Sequence, residues 1–182
     1  MSDELVFYTH PMSRGRIVRW MLEEVGQPYR TEVLDFDTTM KAPAFLAINP
    51  MGKVPTIRHG ETVVTEAAAI CAYLADAFPD AGLAPPPGDR ARGPYFRWLF
   101  FAAGPLEAAT TSRALGFEVP QDQRRMAGWG CYDDVIETLA GLLEGRDYVA
   151  GDRFTAADLY LGAHIGWGMM SGAIAPRPVF EA

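Results

Sequence analysis

The sequence predicts a small α/β unit followed by an all-helical one, and three observations carry that expectation. Up to residue 80, short β-branched or aromatic runs alternate with segments whose apolar residues recur at helical spacing. One of the strand-like runs, Val54 to Ile57, contains Pro55, which can donate no ladder hydrogen bond and so should mark an edge, a bulge or a special turn. Beyond the Pro- and Gly-rich stretch "PDAGLAPPPGD", residues 79 to 89, no convincing strand remains. The division that follows is an α/β domain over residues 1–80, a linker over 81–89 and an all-α domain over 90–182.

Each element has a local reason. Leu5 to Tyr8 reads as a short apolar strand broken at "THPMS". Ile17, Val18, Met21, Leu22 and Val25 then form one helical stripe, and Gly26 with Pro28 stops it. Tyr29 to Leu34 can form a second strand, and a polar loop with Pro43 leads to a short helix near Ala44 to Ile48. "VPTI", His59-Gly60 and "ETVV" read as a hairpin, since glycine beside a polar residue between β-branched runs is a turn signal. "EAAAICAYLADAF" is a helix ended by Pro79. In the second unit, 92–111 and 121–144 carry helical periodicity, with a bend or break at Gly104-Pro105. "FTAADLYLGAHIGWGMM" is apolar nearly all round, which predicts a helix at the centre of its domain. Thr155 as cap, Asp158 three residues on as an acidic capping box, and Phe154 against Leu159 as a staple predict its start.

Bulk properties exclude several functions. The 182 residues carry a formal charge of −7, and no basic stripe offers the phosphate neutralisation that nucleic-acid binding needs. The acidic, then strand-like N-terminus lacks the features of a signal peptide, and no apolar run is long enough to span a bilayer. Cys71 and Cys131 fit neither a disulfide framework nor a metal pattern. The expectation is a reduced, cytoplasmic, metal-free protein.

A β-α-β-α-β-β-α unit with a proline opening its third strand has the layout of the thioredoxin fold. "HPMSRGRIVRWMLEE", "NPMGKVPTI", "TEAAAICAYL" and "GDRFTAADLYL", in this order, resemble the cytosolic glutathione transferases over essentially the whole chain, as a bacterial-type member with serine rather than cysteine in the first loop. The resemblance implies a cis Val54-Pro55 bond that turns the Val54 backbone pair toward an extended peptide ligand. The ligand that the resemblance implies is glutathione. Glu66 would take its ammonium, and the free N–H groups at Glu66 and Ala67 its γ-glutamyl carboxylate. Ala67 stands where the family commonly has serine, and the lost hydrogen bond would weaken binding by about 0.5–1.5 kcal/mol. Val54 would pair with the cysteinyl backbone, Pro55 would set that turn, and Lys53 would reach the glycyl carboxylate or remain solvated. Arg16 and Arg19 are expected to serve folding or dimerisation.

His10 and Ser13 occupy the positions of the two cysteines of C-P-x-C thiol–disulfide enzymes, so no mixed disulfide can form there. This favours a transferase that activates the thiol of glutathione for attack on a small hydrophobic electrophile. Ser13 is the expected thiolate stabiliser, with Thr9 and His10 as runners-up; Ser13 acting only as a helix cap is the competing role. Trp98, Phe101, Phe117 and Trp167 could line an electrophile cleft between the domains or simply be core. A non-catalytic binding or interaction module, or a glutathione-dependent isomerase, dehalogenase or peroxidase, are the alternatives. The resemblance also implies a homodimer, with neither nucleic acid nor membrane as partner, and "RPVFEA" reads as the start of a further helix in a chain that may continue.

Overall fold

The computed structural model describes residues 3–181. They form two compact units, one ending at Ala84 and the other beginning at Pro85. In the first, β1 (Leu5–Thr9), α1 (Gly15–Val25), β2 (Arg30–Val33), α2 (Pro43–Leu46), β3 (Thr56–His59), β4 (Thr62–Thr65) and α3 (Ala67–Ala77) follow one another. This is the β-α-β-α-β-β-α layout. The sheet order is β2-β1-β3-β4, with β1 parallel to β2 and antiparallel to β3, and β3 antiparallel to β4.

All five residues of β1 are buried, because this inner strand is covered on both faces. On one face Val6 and Tyr8 pack with Met40 of a short 3₁₀ turn and Phe45 of α2. On the other, α1 and α3 lie together, burying Val18, Met21 and Leu22 with Ile70, Cys71 and Leu74. Gly26 ends α1 in the left-handed conformation, its N–H bonded to the Leu22 carbonyl. The hairpin pairs His59 with Thr62, so the turn residues are Gly60 and Glu61, one place later than the sequence suggested; Gly60 supplies the positive φ.

The second unit comprises α4 (Arg92–Phe101), α5 (Glu107–Ala114), α6 (Tyr132–Leu143), α7 (Ala156–Ser171) and α8 (Pro178–Glu181). Between α4 and α5 the chain makes a π turn over Ala102–Leu106 with Pro105 inside it. The wider turn relieves the clash a proline ring makes with the preceding carbonyls, so Gly104-Pro105 re-aims the helix without ending it. The expected helix over 121–144 is shorter. Gln121–Met126 is a 3₁₀ segment, and Gly130 at φ 71° separates it from α6.

α7 begins as expected. The Asp158 carboxylate accepts the Thr155 N–H at 2.8 Å, the Thr155 hydroxyl at 2.7 Å and the Val149 N–H at 2.7 Å. It therefore caps its own helix and ties down the preceding loop. The helix is not buried all round, however: Leu159, Leu161 and Ile165 face the core, whereas Gly162, Gly166, Trp167 and Met170 are exposed. No helix among the described residues is long and apolar enough to cross a membrane.

Asp158→Asn keeps the shape but removes the charge and turns one of the two accepting oxygens into an NH2 donor, so at least one of the three hydrogen bonds is lost and a fall of about 2 kcal/mol in unfolding free energy is expected. Urea denaturation of the two proteins checks it.

Candidate functional site

Sheet register brings three stretches of chain to one end of the sheet. Tyr8 of β1 lies opposite Thr56 of β3, and Thr56 lies opposite Thr65 of β4. Thr9 and the loop after it, the Val54-Pro55 step before β3, and Glu66 directly after β4 are thus neighbours in a row. The sequence-predicted site residues fall in these three stretches.

The middle stretch is held by a buried amide. Asn49 donates from Nδ2 to the Lys53 carbonyl at 2.8 Å and to Thr56 Oγ1 at 3.1 Å, and its Oδ1 accepts the Met51 N–H at 3.1 Å. Asn49 and Thr56 are buried, which strengthens the bracket. The Val54-Pro55 bond is cis. Among the described residues no protein group bonds the Val54 N–H or C=O, so both are available to an extended partner. Gly52 has φ 56°, and a Cβ there would lie 2.7 Å from the Met40 carbonyl oxygen. Lys41 Nζ donates to the Met51 carbonyl at 3.3 Å and the Gly52 carbonyl at 2.8 Å, which places a second ammonium beside the exposed Lys53. Sequence reasoning missed Lys41 and Asn49. Their signal is tertiary, since each acts across a turn that no periodicity reveals.

Glu66 has φ 66° and ψ 119°, the one positive φ outside glycine among the described residues. A non-glycine residue held there costs about 1–3 kcal/mol. Its carbonyl accepts the Ile70 N–H, while the N–H groups of Ala67, Ala68 and Ala69 precede the first helical bond and have no side-chain cap. The exposed Glu66 carboxylate forms no protein bond among the described residues. An acid thus sits beside a cluster of N–H donors, which can receive an ammonium and a carboxylate carried on one carbon.

In the first loop, Ser13 is not the N-cap of α1; Arg14 is. The Ser13 hydroxyl donates to the His10 carbonyl at 2.7 Å and accepts the Gly15 N–H at 3.0 Å. Its single proton is therefore directed at the backbone in this structure. His10 Nδ1 accepts the Met12 N–H at 3.1 Å, which puts the proton of a neutral ring on Nε2. That ring lies 4.2 Å from the ring of Phe36, centroid to centroid. Thr9 is buried, and its hydroxyl is bonded to no protein group among the described residues. A Cβ on Gly15 would stand 2.0 Å from Thr9 Oγ1 and 3.0 Å from Ser13 Oγ, so both hydroxyls gather where α1 begins. They can present two O–H groups to an anion there.

Neither cysteine is a nucleophile of this site. Both are free and buried, and burial pushes the Cys71 thiol up to about 12. No group of three or more His, Cys, Asp or Glu side chains suited to a metal occurs among the described residues. Of the expected electrophile-facing aromatics, Trp98 is buried and Phe101 half-buried, while Phe117 and Trp167 are exposed.

Comparison with known proteins gives one family. Residues 12–77 match the model of the glutathione S-transferase N-terminal domain. A glutathione S-transferase of Xanthomonas campestris is 31% identical over 163 residues, which cover 86% of this chain and 76% of the relative. Glutathione S-transferase 1 of Schizosaccharomyces pombe is 31% identical, with 84% and 69% covered. Among solved structures, a glutathione transferase from Methylococcus capsulatus superposes with a TM-score of 0.76 at 27% identity, covering 97% of this chain and 95% of that one. A sphingomonad glutathione S-transferase complexed with glutathione gives 0.72 at 27% identity, with the same coverage.

Gly15→Ala forces the Thr9 and Ser13 hydroxyls apart at a helix start that cannot move away from β1. Overpacking of this kind costs about 1–3 kcal/mol, which exceeds the gain of about 1 kcal/mol from replacing a helical glycine. A net fall in unfolding free energy is the expected result of a denaturant titration.

Proposed function

Because the chain belongs to the glutathione S-transferase family, we propose that it grips glutathione along the end of its four-stranded sheet and activates the thiol for attack on a small hydrophobic electrophile. The observation that carries this reading is the unpartnered Val54 backbone pair, lying between the Glu66 carboxylate with its free N–H groups and the two hydroxyls at Gly15. Glutathione is an extended tripeptide whose chemistry runs in the same order. Its γ-glutamyl ammonium meets Glu66 and its γ-glutamyl carboxylate the N–H groups at Ala67. The cysteinyl backbone pairs with Val54, where Pro55 fixes the turn. The glycyl carboxylate faces Lys53 and Lys41.

The thiol is left at the first loop, where Ser13 is the proposed partner of the thiolate. Its hydroxyl lies 2.7 Å from the His10 carbonyl, and a rotation of the O–H alone redirects the proton from that carbonyl to a sulfur anion. Thr9 and the Nε2–H of His10 are the other donors in the same loop. A hydrogen bond worth about 1.4 kcal/mol to the thiolate lowers the thiol pKa by about one unit from its usual value near 8.5. The thiolate then forms at a pH where free glutathione is mostly protonated. It attacks the electrophilic carbon, its electron pair becomes the new S–C bond, and the displaced group departs with the electrons of the bond it leaves.

We further propose a cytoplasmic homodimer. The two free cysteines suit a reducing compartment. The edge strand β4 leaves Val63 exposed and α4 leaves Phe100 exposed, apolar groups that a second copy can cover.

Turnover of glutathione with chlorodinitrobenzene tests the reaction. Ser13→Ala should move the acid limb of the pH–rate profile upward by about one unit, with little change in glutathione affinity. If Thr9→Val or His10→Ala moves it instead, that residue holds the sulfur. Light scattering should give twice the chain mass at micromolar concentration; a chain mass that persists on concentration would refute the dimer.

A further inference from the structure

A fourth stretch of chain reaches the end of the sheet where the hydroxyl loop lies. β2 runs parallel to β1, with Val33 opposite Thr9 and the Leu34 N–H donated to the Thr9 carbonyl at 2.9 Å, so the segment after β2 emerges beside the loop after β1. Phe36 stands in that segment. In the order β2-β1-β3-β4 it lies on the side of the loop away from Val54 and Glu66, the side that the γ-glutamyl end and the cysteinyl backbone of glutathione leave open.

His10 turns its ring to this side. The imidazole centroid lies 4.2 Å from that of Phe36, and Nδ1 accepts the Met12 N–H at 3.1 Å. Two contacts therefore hold the ring, and the second fixes the proton of the neutral form on Nε2. That Nε2 bonds no protein group among the described residues. The carbonyl of the same residue accepts the Ser13 hydroxyl at 2.7 Å and the Ser13 N–H at 3.1 Å, which ties the imidazole to the proposed thiolate partner. Phe36 is exposed beside the ring, and its chain neighbours Asp35 and Asp37 are exposed acids. An aimed N–H donor beside an open aromatic face suits a ligand with an apolar body and one acceptor oxygen, and the acids favour a neutral one over an anion.

Given the glutathione thiolate proposed at the first loop, on which this inference rests, we propose that His10 is a catalytic residue that acts on the electrophile, with Phe36 as its positioning residue. The Nε2–H holds the carbonyl oxygen of a neutral α,β-unsaturated ketone or aldehyde while sulfur attacks the β-carbon. The thiolate electron pair becomes the S–C bond, the carbon–carbon π pair moves in between the α-carbon and the carbonyl carbon, and the carbonyl π pair goes to oxygen. An enolate results. A neutral imidazole N–H fixed before the reaction stabilises the charge that develops on that oxygen and needs no reorganisation to do so. Solvent then returns to the α-carbon the proton lost when the thiol ionised, so the product is a thioether ketone or aldehyde and nothing leaves.

Steady-state kinetics of the full chain with glutathione and either benzylideneacetone, a neutral enone, or benzyl chloride, which has no oxygen, tests this. His10→Phe keeps an aromatic ring for Phe36 but has no N–H, so the ratio of kcat/KM for the enone to kcat/KM for benzyl chloride should fall at least about tenfold. His10→Gln, whose amide can offer an N–H near the place of Nε2, should recover most of that loss. Phe36→Leu leaves the donor without its support and should lower the ratio through kcat for the enone, with the KM for glutathione unmoved. In the His10 variants the acid limb of the benzyl chloride pH–rate profile, which reports ionisation of the thiol, should stay at its wild-type position. An unchanged ratio in His10→Phe, an equally low ratio in His10→Gln, or an acid limb that moves would overturn the proposal, the last because the imidazole would then hold the sulfur. An unchanged ratio in Phe36→Leu would overturn the positioning role. A wild-type chain that conjugates benzyl chloride but not the enone would overturn this inference alone, whereas one that conjugates neither would overturn the glutathione reading with it.

Discussion

The site depends on one constraint, the burial of β1 on both faces. A strand covered on both sides cannot slip by a residue without turning its whole apolar set the wrong way. Val6 and Tyr8 are committed to the α2 side, and Phe7 alternates to the other face. That fixes Tyr8 opposite Thr56, and the hairpin then fixes Thr56 opposite Thr65. The hydroxyl loop, the Val54-Pro55 step and Glu66 are aligned at the sheet end as a consequence of core packing. Three separate stretches of chain acquire a common geometry from the register of the strands that carry them.

Short-range devices refine what the register supplies. Asn49 holds the turn before β3 from inside, so the Val54 backbone is set by a buried amide and needs no neighbouring strand. Gly15 lets α1 begin close against Thr9, where any Cβ would intrude. Glu66 sits at an unfavourable φ of 66° where β4 passes into α3. Each device costs some local freedom, and each orients a polar group outward from a rigid element. A peptide ligand can then be recognised mainly through its backbone and its charged ends.

Much of this was legible in the sequence, and the misses share a physical cause. Pro55 in a β-branched run, Gly26 after a helical stripe, and Thr155 three residues before Asp158 are local signals, and the structure contains the elements they announce. The π turn at Gly104-Pro105 was visible as a break, though not as a turn that lets the helix continue. Periodicity carried the reading straight through Gly128 and Gly130, where the chain leaves the helix. An apolar composition could not tell that α7 exposes Trp167 and Met170, because that depends on which neighbours arrive. The bonds of the Ser13 hydroxyl and the placement of Lys41 were out of reach for the same reason. They are set by the conformation of a turn, which one-dimensional spacing does not encode.

The central claim is that the end of the sheet holds glutathione through Glu66 and the open backbone of Val54. Calorimetric titration of glutathione into the wild-type protein and into Glu66→Gln tests it most directly. The account predicts saturable binding of one glutathione per chain, weakened at least about tenfold when the charge that meets the ammonium is removed. Equal affinity in the two proteins, or no binding heat in the wild type, would contradict it.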